Sequence, residues 1–223
     1  MNIAAIETST EYCSVALWRD GKVIDRCELA GQSHSQILIP MLDELLRGAN
    51  CPLHSLDGIA FGSGPGSFTG VRIACSVAQG LALGADLPLI GVCTLQALAQ
   101  ASGRDKVIAA LDARMAEVYY AAYEKRDGVW RTVCEPGLYL PRDVPPVEGD
   151  GWFGAGSGFI AHGDELRARY AANLAAVDEQ AVPQARAMAE LAAPLFAAGL
   201  GQDAAQAMPL YVRDKVALKT SER

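Results

Sequence analysis

The sequence predicts an α/β protein built from one unit written twice, each of βββαβα type, the second copy less regular. Three observations carry this. Four apolar residues closed by a carboxylate, Ile3-Ala4-Ala5-Ile6-Glu7, return as Ile108-Ala109-Ala110-Leu111-Asp112. Each copy leads into a β-rich run and then an Asp-Gly pair, Asp20-Gly21 in the first and Asp127-Gly128 in the second. Asp-Gly between apolar runs is a hairpin signal, because both turn residues need positive φ. Finally, the first half continues with helical periodicities between short apolar strands, the pattern of a sheet covered by helices. The repeat divides the chain into residues 1–104 and 105–223, with room for the C-terminal segment to pack back on the first lobe.

In chain order, strands are expected at Tyr12 to Trp18 and Lys22 to Leu29, completing a three-strand meander. Ser35 to Gly48 places Leu38, Met41, Leu42, Leu45 and Leu46 on one helical stripe. Pro40 cannot donate an interior helix bond, so the helix starts near it or bends there. Leu56 to Phe61 reads as a strand and Thr69 to Gly84 as a helix. Leu87 to Val92 reads as a strand, and Thr94 as the N-cap of a helix to Ala101. In the second copy, Val118 to Tyr123 and Val129 to Cys134 are strands, and Pro136 to Gly151, with four prolines, is a loop. Trp152 to Phe159 is strand-like; Asp164 to Ala172 and Gln184 to Gly199 look helical, the latter interrupted at Pro194. A duplicated unit of this kind is the arrangement of actin, hexokinase and sugar-kinase ATPases, where nucleotide lies between the halves.

Hydrophobic residues make up 51% of the 223 and charged residues 20%, enough apolar content for a packed core. The net charge of −7 argues against gripping a nucleic-acid backbone unaided, since that affinity comes from clustered Lys and Arg. Arg213, Lys215, Lys219 and Arg223 form a basic tail, read as a solvated tail ahead of an RNA contact. No signal peptide precedes the first strand and no membrane span is expected. Six dispersed cysteines read as buried or free thiols in a reducing cytosol. Three isolated histidines and no cysteine pair leave no zinc geometry.

GSGPGSFTGVR, residues 62 to 72, raises the question of a phosphate loop. No lysine follows, as a P-loop requires, and Ser67 stands where the last glycine of G-x-G-x-x-G would be. Pro65 removes one amide donor. A phosphate cradle is therefore weakly supported. Behind the loop, Gly70, Ala74, Ala78 and Ala82 recur every four residues, a stripe of small side chains for close packing. That stripe suits this protein's own sheet or a partner helix, and composition does not separate the two. Glu7, Thr8 and Ser9 should face the cleft of a duplicated fold, with Asp112 and Arg114 in the matching place of the second copy. Arg114 suits an ion pair with Glu117 or an anion. No G-x-S-x-G elbow is present.

These stretches together resemble a known family. GSGPGSFTGVRIA, with Gly64, Pro65, Gly66, Ser67, Phe68, Thr69 and Arg72, is joined by IAAIETSTEYCSVALWRDGKV, ALDARMAEVYYAAY and PLYVRDKVA. In combination they are similar to the TsaB family of bacterial tRNA threonylcarbamoyladenosine biosynthesis proteins, once grouped with glycoproteases. The resemblance implies an actin-like fold and a cytoplasmic role beside TsaD, a related subunit that transfers threonylcarbamoyl to the adenosine next to the anticodon of ANN-decoding tRNAs. It also implies a TsaE-like ATPase partner, a homodimer when the chain is alone, and contact with tRNA only through the complex. It implies no metal and no firm cofactor, with ATP or ADP confined to the assembled complex. TsaD-like sequences carry two metal-binding histidines four residues apart after a Gly-Val strand; here Thr94 and Leu98 occupy those places. The family implies pairing through the two N-terminal-half helices, hence Leu38, Met41, Leu42 and Leu45 with Gly70, Ala74, Ala78 and Ala82. The rival readings are a stand-alone actin-like ATPase or kinase and, more remotely, a peptidase.

Overall fold

The computed structural model describes residues 1–213. Ten strands form two five-stranded sheets. The first contains β1 (Asn2–Glu7), β2 (Tyr12–Arg19), β3 (Lys22–Leu29), β4 (Gly58–Gly64) and β5 (Leu89–Cys93) in the order β3-β2-β1-β4-β5. The second contains β6 (Lys106–Asp112), β7 (Val118–Arg126), β8 (Val129–Tyr139), β9 (Trp152–Ala155) and β10 (Leu174–Asp178) in the order β10-β9-β6-β7-β8. Each sheet is an antiparallel meander continued by two parallel strands on the other side of its first strand. The two are thus the same topology strand for strand, and the duplicated α/β fold is present. Both hairpins turn where the Asp-Gly pairs stand, with φ of 49° and 84° at Asp20 and Gly21 and 53° and 79° at Asp127 and Gly128.

Helix α1 (His34–Gly48) runs through Pro40 without ending there. Helices α2 (Phe68–Ala85) and α3 (Thr94–Ala101) follow β4 and β5. Two short helices, α4 (Gly158–Ala161) and α5 (Gly163–Arg169), cover the second sheet, and α6 (Ala185–Ala197) returns to the first. Alternation along β1 explains the layers. Ala4 and Ile6 point toward α1 and α2, where they meet Leu38, Leu42, Ala74 and Ala78. Ile3 and Ala5 point the other way, toward Ala189 and Ala192 of α6. A strand covered on both faces has no polar side, hence its unbroken apolar run. Helix α3 lies between the sheets: Ala97 joins the core of the first, and Leu95, Leu98 and Ala99 that of the second.

Several local expectations are corrected. Thr94 is the first helical residue and Cys93 the cap, with no side-chain cap bond. Thr94 is fully buried and its Oγ1 has no partner. Strand β8 extends through Pro136 to Tyr139, because the β7–β8 register shifts between Tyr120 and Tyr123 and the proline falls at this irregularity on an edge strand. Helix α6 runs through Pro194. Strand β10 and helix α4 were not expected; β10 is a half-exposed edge strand whose LAAVD run has no alternation to announce it. Helix α2 is, among the described residues, long and apolar enough by length and composition to cross a membrane, but Thr69, Arg72, Ser76 and Gln79 interrupt it, so it is not an unbroken apolar run. Its Gly70, Ala74, Ala78 and Ala82 are buried against the protein's own core.

Candidate functional site

The two motifs that stood apart in sequence, Glu7-Thr8-Ser9 and GSGPGSFTG, are one unit in space. Strand β1 pairs in parallel with β4, so the ends of both strands emerge side by side. The Thr8 hydroxyl donates to the Gly70 carbonyl at 2.7 Å, and the Ser67 amide donates to the Ser9 carbonyl at 2.7 Å. Three glycines of the loop admit this contact. A Cβ on Gly62 would stand 1.7 Å from Glu7 Oε2, one on Gly66 2.6 Å from the Ser9 carbonyl oxygen, and one on Gly70 1.9 Å from that of Thr8. All three distances are shorter than a Cβ tolerates, so these glycines serve close approach by the chain itself. The Ser67 hydroxyl caps α2, accepting from the Gly70 amide at 3.3 Å. The phosphate-loop reading loses further ground, since the amides of Ser67, Gly70 and Val71 are all bonded within the motif.

Glu7 lies behind this wall and not on it, 1% exposed. Its Oε1 accepts the Ser9 amide, while Oε2 has no partner among the described residues. Burial pushes its carboxyl from an ordinary 4.5 up to about 7, with the bonds from Ser9 opposing the rise. Thr8 is fully buried as well. Of the five residues expected on a cleft, Ser9, Asp112 and Arg114 line it, while Glu7 and Thr8 are held in the interior by the loop.

The cleft itself measures about 1070 Å³. Ser9, Thr10 and the Pro65 to Gly70 stretch form its first wall, and Asp112 to Met115 with Ser157 the second. Arg114 pairs with Asp112 at 3.0 Å, not with Glu117. Glu117 is taken by Arg213, at 2.8 Å. Arg114, Met115 and Ala116 have φ of 61°, 57° and 59°, three successive left-handed residues without a glycine. Such a turn is costly for L side chains and nothing in the residue types announced it. The other side of the rim carries Phe68 and Tyr211, tied together by Arg72, whose guanidinium lies 3.4 Å from the Phe68 ring centroid and whose Nε donates to the Tyr211 hydroxyl at 2.9 Å. Leu210 to Arg213, part of the PLYVR motif, also line this rim. Lys215, Lys219 and Arg223 of the basic tail lie outside the described residues.

The eight residues expected at a partner interface are corrected together. Leu38, Met41, Leu42 and Leu45 are at most 6% exposed and Ala74, Ala78 and Ala82 at most 1%, with Gly70 buried beside Thr8. Side chains closed in the chain's own core offer a partner no surface. The outer faces of the same helices carry different residues: Gln36, Ile39, Pro40, Asp43, Glu44 and Arg47 on α1, and Thr69, Arg72, Ser76, Gly80 and Leu83 on α2. Thr94 and Leu98, also fully buried, stand among apolar neighbours at the α3 start. Ser157 and Asp112 converge in the second sheet with His162 nearby, but the Asp112 amide donates to Ser157 Oγ at 3.2 Å and His162 Nε2 has no hydrogen-bond partner. His162 Nε2 lies 3.9 Å from Asp112 Oδ1, and no hydrogen bond joins His162 to Ser157 among the described residues.

Comparison with known proteins bears on this arrangement directly. The family model described as "TsaD: tRNA N6-adenosine threonylcarbamoyltransferase" matches residues 27–220. The tRNA threonylcarbamoyladenosine biosynthesis protein TsaB of Escherichia coli K12 is 40% identical over 98% of this chain and 97% of its own length. This chain belongs to the TsaB family. The TsaB protein of Haemophilus influenzae is 36% identical over 98% of this chain and 96% of its own. Among solved structures, YeaZ from Pseudomonas aeruginosa superposes with a TM-score of 0.85 at 39% identity, covering 94% of this chain and 99% of that one. A second Pseudomonas aeruginosa structure, of a protein described as similar to peptidase YeaZ, gives 0.89 at 38% identity, over 95% and 99% of the two chains.

Proposed function

We propose that this chain is a non-catalytic partner subunit that binds and activates a TsaD-like protein for threonylcarbamoyladenosine formation on ANN-decoding tRNAs. Family membership supports the pathway, since the relatives carry that name. One observation carries the non-catalytic part: Thr94 and Leu98, where TsaD-like sequences have their metal-binding histidines, are both fully buried, Leu98 in an apolar cluster. A leucine has no ligand atom, and a buried site gives substrate no access. The reading further includes a TsaE-like ATPase in the assembly, tRNA contact through the complex, self-association in the partner's absence, and a cytoplasmic setting.

The partner surface in this reading is the outer face of α1 and α2. From Ile73 to Ala85 no charged residue occurs, and Leu83 at the far end is 80% exposed. Ile39 on α1 is 50% exposed. On α2 an uncharged face of this length suits a helical partner, with Asp43, Glu44 and Arg47 of α1 as the charged border of that surface. The test is a reconstituted modification assay. TsaD with TsaE and the threonylcarbamoyl donor should modify tRNA only when this chain is added; full activity without it overturns the proposal.

A stand-alone nucleotide-dependent enzyme is the second reading, favoured by the cleft with Ser9, Asp112 and Arg114 on its walls. Titration of the isolated chain with ATP separates the two: tight binding with turnover selects the second reading, and its absence the first.

A further inference from the structure

The PLYVR motif has a structural meaning that the partner role does not absorb. No hydrogen bond among the described residues joins the two walls of the cleft to each other. What crosses its mouth is the irregular segment after α6. Gln79 on α2 donates to the Ala204 and Ala207 carbonyls at 3.1 and 3.0 Å. The Leu210 amide donates to the Ser63 carbonyl of β4 at 2.7 Å, and Tyr211 meets Arg72. Two residues later the chain has reached the second sheet. Arg213 donates to the Ala113 carbonyl at 2.8 Å, pairs with Glu117 at 2.8 Å and touches Met115 Sδ at 3.0 Å. Its side chain is 13% exposed.

We infer that Leu210–Arg213 is a latch across the mouth of the cleft, anchored by Leu210 on β4 and by Tyr211 on α2 and released at Arg213. Three features support this and are independent of the proposed partner role. The segment has no regular structure of its own beyond the 3-10 turn Ala204–Gln206, so its contacts alone position it. Its side chains on the first lobe are held loosely, with Leu210 and Tyr211 40% and 50% exposed and the neighbouring Met208 70%. The Arg213 anchor grips both flanks of the left-handed turn Arg114-Met115-Ala116, an element held against its own conformational preference. Losing that grip lets the turn relax, which gives release a direction. Few buried contacts and a strained receiver are what a low-stability, openable element looks like.

Amide exchange of the full chain, followed by NMR, tests this. Arg213→Ala should speed exchange at Ala113 and Glu117, whose amides are hydrogen-bonded across the turn, by tenfold or more. It should also speed exchange at Leu210, which is anchored on the other sheet, while the β1 amides stay protected. Arg213→Lys keeps the charge but not the two-pronged grip, and should fall between. A nitroxide pair at Glu11→Cys and Ile160→Cys, with the exposed Cys27 replaced by Ser, reads the distance across the mouth; it should lengthen in Arg213→Ala. An unchanged Leu210 rate, or superimposable distances, overturns the latch and makes Arg213 a local tie. If Arg213→Ala loses β1 protection, Glu117→Gln takes its place with the same two readouts: a threefold or greater rise at Leu210 with a longer distance supports the latch, and anything less overturns it.

Discussion

Replacing Glu7 by Gln should change how the stability of this protein depends on pH. The carboxyl is 1% exposed, one oxygen is unpartnered, and burial raises its pKa from 4.5 to about 7. The folded state therefore keeps the proton to higher pH than the unfolded chain does. Raising the pH through the window from 4.5 to about 7 draws the unfolded chain to ionise first, so this group costs stability as pH rises and costs nothing below 4.5. At about 1.4 kcal/mol per pH unit, the full effect is about 3 kcal/mol, reached near pH 7 and constant above it. Glutamine is neutral throughout and close in shape to the protonated acid. It leaves an unpartnered donor near Gly62, a pH-independent offset of about 1–3 kcal/mol. Urea unfolding of both proteins at pH 4.5, 5.5, 6.5 and 8 isolates Glu7, because other titrations cancel in the difference. The variant should gain about 3 kcal/mol on the wild type between the lowest and highest pH. Parallel profiles would refute the reasoning and show that the carboxylate is solvated or paired in solution.

The remaining predictions concern packing and surfaces. Gly62→Ala places a Cβ 1.7 Å from Glu7 Oε2 and should cost about 3 kcal/mol or more in urea unfolding, whereas Gly80→Ala, with nothing within 4 Å, should stabilise α2 by about 0.5–1 kcal/mol. Ala78→Trp should unfold the chain, visible as lost cooperative melting, because Ala78 is fully buried in the core of the first sheet. Leu83→Asp should leave the melting temperature within a few degrees, as exposed substitutions do, and weaken co-purification with a TsaD-like partner tenfold or more. A Leu83→Asp chain that still binds the partner at full strength removes this face from the interface.

By itself the sequence determined the duplicated meanders, both hairpins and the course of the core helices, because these rest on local rules. Asp-Gly pairs demand positive φ, apolar stripes recur at the helical period, and a strand covered on both faces is apolar throughout. The motifs that mark the TsaB family were legible for the same reason, as short contiguous runs. Which surface the small residues of α2 meet was decided only in three dimensions: a stripe of Gly70, Ala74, Ala78 and Ala82 has the same spacing whether it faces a sheet or a partner. The role of GSGPGSFTG was equally hidden. Its glycines are explained by Glu7, Thr8 and Ser9, more than fifty residues earlier in the chain, brought alongside by the parallel pairing of β1 and β4. The crossing of the cleft by Arg213, and the left-handed turn it grips, depend on contacts some hundred residues apart. No local propensity encodes such contacts; they exist only once both sheets have formed and the segment up to Arg213 has returned between them.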